Sequence, residues 1–215
     1  MDSGTLIVVV LAVVLVGGYA VGGVLNARRM EALAAGLREA FAGPAGPAKL
    51  QRLGRSIVRI EAERPVRGVG RAVATVLMAP REALLVWVLW ALQGRGDLLD
   101  VKAELDGPPV GVGLLADPHH RTGRAALRAA VAAGGTRSTA DGRGLAIVAY
   151  DAPGRAAMER LVPAATDLGD VVLLELRGAQ PRMTLLVSLR HAPGSLPGLR
   201  PALQRLVDLA TGRIA

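Results

Sequence analysis

An uncharged apolar run near the N-terminus constrains this chain most. Residues 5–25 are 21 residues without a charge, rich in Val, Leu and Gly. An α-helix of that length is about 31 Å long, close to the thickness of the hydrocarbon core of a bilayer. Soluble helices are seldom apolar on every face over this length. The run therefore predicts a transmembrane anchor in residues 1–25, followed by a domain outside the bilayer.

The charges on either side of this run predict its direction. Asp2 precedes the run, whereas Arg28 and Arg29 follow it, and all 26 Lys and Arg residues lie after residue 25. The positive-inside rule then places the N-terminus outside and the rest of the chain in the cytoplasm, as a single-pass protein of the cell membrane. A cleaved signal peptide is the alternative, but it ordinarily has a basic start and a shorter apolar core, unlike MDSG and the run after it.

Four glycines inside the run predict a close helix contact. Gly18 and Gly22 form a GxxxG pattern, with Gly17 and Gly23 beside them. Small residues on adjacent turns let two helix backbones approach closely, which makes Gly18 and Gly22 candidate helix-packing residues. The partner would be a copy of this chain or another membrane protein. The alternative is that glycine is simply frequent in membrane helices.

The chain after the anchor predicts an α+β fold. Residues 26–48 comprise a juxtamembrane helix and a Gly/Pro linker, and the helix either continues the membrane span or packs on the domain. Residues 49–215 form a basic cytoplasmic domain with the order ββα-ββα-βα-ββα, which indicates a two-layer α/β sandwich with a mixed or antiparallel sheet. The apolar stripe of the juxtamembrane helix consists of Met30, Leu33, Leu37 and Phe41.

Two further segments of the domain have clear patterns. Residues 81–93, REALLVWVLWALQ, predict a helix that is apolar nearly all round. Such a helix is either the most buried of the domain or faces the bilayer, and it is too short to span a membrane. Residues 134–144, GGTRSTADGRG, predict a loop.

The sequence contains no recognisable set of catalytic residues. The chain has no Cys, which excludes disulfides and thiolate metal sites. His119 and His120 occupy a turn with Asp117 as the sole acid at metal-ligand spacing, and Asp97 and Asp100 are interpreted as strand-entry or cap residues. We therefore expect no catalytic residue, no metal site, no cofactor and no small-molecule substrate.

Positive charge is the remaining signal for binding. The formal net charge is +8, and the aromatic share of 2% disfavours stacking on single-stranded nucleic acid. A basic domain tethered at a membrane can contact the phosphates of ribosomal RNA. The alternative function is a membrane-surface or small-anion-binding module with no ribosome role, whose arginines contact anionic lipid or a small anion. An Arg-rich solvated surface without a ligand is a further alternative. The candidate polyanion-binding residues are Arg52, Arg55, Arg59, Arg67, Arg71, Arg121, Arg124 and Arg128.

Several apolar segments of residues 26–210 occur in an order known from one protein family. They are ARRMEALAAGLREAF, LLVWVLWALQ with DLLDVKAEL, VGVGLLA with RTGRAAL, GLAIVAYD, ATDLGDVVLLEL, RMTLLVSLRHAPGSLP and ALQRLVDLA. In this order the chain resembles the coiled-coil-domain-containing subunit of the PAT (protein associated with the translocon) complex, an intramembrane chaperone. The Arg-rich, Cys-free composition suits a prokaryotic, archaeal-like relative.

The resemblance implies a function without catalysis. The protein would be a scaffold that assists membrane-protein insertion, pairs with a small multi-spanning membrane protein, lies beside the Sec translocon and touches the ribosome with its basic face. The family has a long acidic segment before its membrane helix and a charged tail after its last helix. The resemblance extends to neither, so no role of those segments is carried over.

Overall fold

One antiparallel sheet organises the fold. The computed structural model describes residues 2–44, 46–93, 95–140, 144–189, 196 and 198–213. The helices in this part are α1 (Ser3–Phe41), α2 (Leu84–Leu92), α3 (Arg121–Ala132), α4 (Ala152–Asp167) and α5 (Leu199–Ala210). The strands are β1 (Lys49–Arg52), β2 (Ile57–Glu63), β3 (Val69–Leu77), β4 (Leu98–Leu105), β5 (Gly113–Ala116), β6 (Thr136–Thr139), β7 (Ala146–Ala149), β8 (Asp170–Leu176) and β9 (Met183–Ser188). Their order in the sheet is β1-β2-β3-β4-β9-β8-β5-β7-β6, with every neighbouring pair antiparallel.

Helix α1 runs without a break from the apolar run into the domain. The side chain of Asp2 caps it by accepting the N–H of Thr5 at 2.7 Å, so the first turn has a partner for an otherwise unpaired donor. The side chains up to residue 25 are largely exposed, whereas one face of the helix from Asn26 onward is buried. The predicted stripe from Met30 to Phe41 is confirmed, since its four members are at most 4% exposed. The helix therefore both continues the apolar run and packs on the domain.

Helices cover the two faces of the sheet unequally. The buried face of α1 packs with α4 and α5 on one side, where their apolar residues share one core with β2, β3, β4, β8 and β9. Helix α3 lies on the opposite side, and its Leu127 clusters with Leu114, Val148 and Val172. Alternate residues of a strand point to opposite faces, so β5, β7 and β8 are buried on both. The sheet thus has a third layer at this end, which the predicted two-layer arrangement did not include.

The sequence interpretation missed two strands. Strands β1 and β6 are the two edges of the sheet, and their sequences are KLQR and TRST. Both are short and mostly exposed, so neither has the alternation of apolar and polar residues that reveals a strand. The described order is βββα-ββα-ββα-ββα after α1. The loop predicted for residues 134–144 is wrong where it includes β6, and residues 141–143 lie outside the described residues.

Candidate functional site

Helix α2 is apolar and exposed. Its sequence is LLVWVLWAL, and none of these nine residues is buried within the described structure. Leu85 and Leu92 are 72% and 81% exposed. The prediction left two places for this helix, the centre of the core or the bilayer, and the first is wrong. A contiguous apolar surface of this kind marks a protein or membrane contact.

The small residues of α1 lie against the start of α2. A Cβ built on Gly22 would lie 2.1 Å from the backbone oxygen of Arg81, and one on Gly18 would lie 3.2 Å from the side chain of Leu84. A Cβ on Gly23 would have nothing within 4 Å. Gly18 and Gly22 therefore approach a segment of the same chain, and their predicted packing on a second membrane helix stays a prediction. The exposed surfaces of α1 and α2 consequently lie side by side.

A buried carboxylate fixes α1 next to α2. Asp97 is 1% exposed, and its Oδ2 lies 2.5 Å from Nε of Arg29 on α1 and 3.0 Å from Nη2 of Arg81. Its Oδ1 accepts the backbone N–H of Ala79 at 2.8 Å. Arg29 also donates to the backbone oxygen of Leu189 at 2.7 Å. One carboxylate thus joins α1, the loop before α2 and the start of β4.

Asn26 extends this network on α1. Its Nδ2 donates to Oε2 of Glu82 at 2.6 Å and to the oxygen of Ala79 at 3.2 Å, and its Oδ1 accepts from Nη1 of Arg81 at 2.8 Å. Ser56 donates to Oε1 of Glu82 at 3.1 Å. Buried polar groups need such partners, since each unpaired one costs free energy. The network therefore holds α1 at one defined angle to the domain.

The sequence interpretation did not find this network. Asp97 precedes β4, as predicted for a strand-entry residue, but its burial between two arginines has no local signal. Asn26 does have one, because it lies four residues before Met30 and so continues the apolar stripe of α1. A polar residue on a buried face requires a polar partner in the domain.

Two of the candidate polyanion-binding residues are engaged in ion pairs. Arg59 on β2 and Arg71 on β3 lie 2.6 Å and 2.8 Å from the carboxylate oxygens of Glu61. The hydrogen bond from Arg71 lowers the pKa of the Glu61 carboxyl, with a further contribution from the charge of Arg59. These guanidinium groups are therefore partly neutralised on the open face of the sheet.

The candidates Arg52, Arg55 and Arg67 lie apart from this pair. Arg52 is on the edge strand β1, and Arg55 donates a hydrogen bond to the hydroxyl of Tyr19 on α1. Arg67 lies at the opposite end of the seven-residue strand β2, where its N–H donates to Oε1 of Gln204 on α5 at 2.8 Å. Seven strand residues span about 23 Å. The candidates Arg52, Arg55, Arg59, Arg67 and Arg71 therefore do not form one continuous surface, because the hairpin places them at both ends of β2 and with different partners.

Helix α3 does bring its candidate residues together. Arg121, Arg124 and Arg128 are exposed and lie at positions i, i+3 and i+7, which share one face of a helix. None of the three has an ion pair with a residue that the structure describes. His120 caps the helix, its Nδ1 accepting the N–H of Thr122 at 3.2 Å. Burial lowers the pKa of His120, which keeps the imidazole neutral and able to accept this bond.

A groove separates the end of α2 from the start of α3. Its volume is about 1200 Å³, with Trp90 and Arg95 on one wall and Arg121 and Arg124 on the other. The Arg95 guanidinium lies 5.6 Å from the centre of the Trp90 ring. The groove thus combines three arginines from two segments with an aromatic side chain of the exposed apolar helix.

Acidic side chains also line this groove. Asp117 and Asp170 are among its lining residues, and Oδ1 of Asp117 accepts the backbone N–H of His119 at 2.8 Å. In the part of the chain that the structure describes, no group of three His, Asp or Glu side chains could hold a metal ion. The groove therefore places arginine side chains beside apolar and aromatic surface.

Comparisons with known proteins do not assign the chain to a family. Neither the protein-family models nor the curated protein sequences give a match. The structure by itself defines the class: an α/β protein with a nine-stranded antiparallel sheet and a long apolar N-terminal helix. That helix is long and apolar enough to cross a membrane, and a signal sequence passes the same test of length and composition.

Proposed function

We propose that the protein is a non-catalytic membrane-anchored scaffold whose domain is seated on the bilayer by α2. The observation that carries the proposal is the exposure of α2 beside the exposed part of α1. Aliphatic surface in water costs about 25 cal/mol per Å², and lipid would cover both helices at once. Helix α1 crosses the bilayer, and α2 lies within the adjoining leaflet, since nine residues are about 14 Å long and cannot span it.

Two pairs of arginine and aromatic residues support this arrangement. The Arg55 guanidinium lies 5.8 Å from the centre of the Tyr19 ring, and Arg95 lies over Trp90 in the same way. Tyr and Trp concentrate at the level of the lipid headgroups, where an apolar ring and a polar partner are both satisfied. From the start of α1 to Tyr19 is about 26 Å, close to one hydrocarbon thickness.

The contacts of the apolar run with the domain support its retention in the mature protein. Gly18 and Gly22 pack on the segment that begins α2, and Asn26 continues the same interface into the buried network. Removal of residues 1–25 as a signal peptide would uncover this side of the domain. The contacts therefore support a permanent anchor.

The exposed apolar surface of α2 predicts contact with acyl chains. The two Trp residues of the chain, Trp87 and Trp90, both lie on this helix, so their fluorescence reports on it alone. In nanodiscs made with brominated phosphatidylcholine we expect strong quenching of the full-length protein. Charged residues at Leu85 and Leu89 (L85E/L89E) should reduce the quenching severalfold, because each charge resists transfer into hydrocarbon.

A matched change on another helix provides the control. Val131 on α3 is exposed, so V131E adds a charge without touching α2 and should leave the quenching unchanged. Quenching of both Trp residues by aqueous iodide, with none by the brominated lipid, would contradict the seating of α2 in the bilayer.

A role at the ribosome and Sec translocon is a second candidate function. The feature that favours it is the exposed row of Arg121, Arg124 and Arg128 on α3, which presents three charges to a polyanion. The pairing with a small multi-spanning membrane protein would then involve the faces of α1 that Gly18 and Gly22 do not occupy. This candidate requires the domain to be cytoplasmic.

The orientation can be tested by cysteine labelling, since the chain has no native Cys. We expect Ser3→Cys to react with a membrane-impermeant maleimide on intact cells, because the positive-inside rule places the N-terminus outside. Thr136→Cys on the exposed edge strand β6 should react only after permeabilisation, which also serves as its control. The reverse pattern would contradict the orientation and the ribosome role together.

A further inference from the structure

We propose that the groove between α2 and α3 binds the phosphate headgroup of one anionic phospholipid, with its acyl chains along α2. The inference rests on the proposed seating of α2 in the leaflet and adds a specific site to it. Arg95 and Trp90 form one wall, and Arg121 and Arg124 form the other. The proposed position of α2 in the leaflet does not itself require these four residues to contact lipid.

The charge of the groove favours a phosphate. The guanidinium groups of Arg95, Arg121 and Arg124 and the carboxylates of Asp117 and Asp170 line it, so the positive charges exceed the negative ones by one. A guanidinium group presents planar donors that match phosphate oxygens in pairs.

The apolar part of the groove favours a lipid over a free anion. Trp90 belongs both to this wall and to the exposed helix α2, and Leu98 lines the groove beside it. A bound headgroup would therefore have its acyl chains next to Leu89 and Leu92, two exposed residues of α2. A free phosphate would leave this apolar surface uncovered. An RNA strand would need a series of phosphate contacts along the protein rather than three arginines in one groove beside an exposed apolar helix.

The test uses Trp90 as the reporter in the full-length protein. In a W87F background Trp90 is the remaining Trp, and its quenching by brominated phosphatidylglycerol is compared with that by brominated phosphatidylcholine at equal low mole fraction in nanodiscs. We expect a preference for the anionic lipid of about fivefold or more, since a basic residue near an anionic surface contributes about that factor. R121Q/R124Q should bring the preference close to one.

The matched control is Arg128, which lies on the same helix but does not line the groove. R128Q removes one positive charge, as the single variant R124Q does, and should keep the preference within about twofold. An equal loss in R124Q and R128Q would overturn the proposal in favour of diffuse charge on α3. Equal quenching by the two lipids, together with a change in Trp90 emission when inorganic phosphate is added, would overturn it in favour of a free anion.

The same measurement separates this inference from the proposed function. Quenching by both lipids without a preference would overturn the groove site and leave the seating of α2 intact. Absence of quenching by either lipid would overturn both.

Discussion

Replacement of Asp97 by Asn is expected to lower the free energy of unfolding by about 3–5 kcal/mol. Asn keeps the acceptor for the N–H of Ala79 but removes the negative charge that lies between Arg29 and Arg81. Two guanidinium groups would then face each other at a buried site without their counter-ion. Because Arg29 belongs to α1, the docking of this helix should loosen first.

The measurement is denaturant unfolding of the full-length protein in detergent, followed by circular dichroism. The matched control is Asp167→Asn, which removes the same charge from the pair with Arg205. Both side chains of that pair are more than half exposed, at 56% and 59%, so the expected loss is about 1 kcal/mol or less. Equal effects of the two substitutions would show that the Asp97 network does not hold α1.

Replacement of Gly22 by Ala is expected to displace the segment before α2. The new Cβ would lie 2.1 Å from the backbone oxygen of Arg81 and 2.8 Å from the backbone nitrogen of Glu82. Backbone atoms cannot rotate away as a side chain can, so the two segments must separate. Overpacking of this kind costs typically about 1–3 kcal/mol, and the docking of Asn26 and Arg29 would weaken with it.

Hydrogen exchange of residues 79–93 is the measurement, with faster exchange expected in G22A. The matched control is G23A on the next residue, where a Cβ meets nothing within 4 Å. Since Ala is a better helix former than Gly, G23A should be neutral or slightly stabilising. G18A should have an intermediate effect, because its neighbour is the flexible side chain of Leu84. Unchanged exchange in G22A would contradict the contact of α1 with α2.

The parts of the fold that bury a regular apolar pattern could be predicted from the sequence. The stripe of α1 from Met30 to Phe41 and the alternating strand β2 both have the period of the element that they form. The edge strands β1 and β6 could not be found, because strand edges are polar and acquire their conformation from a neighbour. Local periodicity therefore indicates the elements that form the core. It does not indicate edge strands, which are held only by hydrogen bonds to a neighbouring strand.

The candidate site could be predicted from the sequence only in part. Arg121, Arg124 and Arg128 share a face because helix geometry fixes it, so their grouping on α3 needed no tertiary information. The proximity of Asp97 to Arg29 depends on how α1 crosses the sheet, which no local pattern encodes. The apolar character of α2 was evident, but its exposure was decided by its place beside α1 at the margin of the domain.

The uninterrupted course of α1 has a mechanical consequence. One helix of 39 residues passes from the apolar run into the core, and the Asp97 network fixes its orientation relative to the sheet. In the proposed arrangement, a tilt of the N-terminal half of α1, imposed by bilayer thickness or by a neighbouring helix, would therefore rotate the whole sheet. The orientation of the domain would thus change with the tilt of α1, and no other element would be needed to transmit the change.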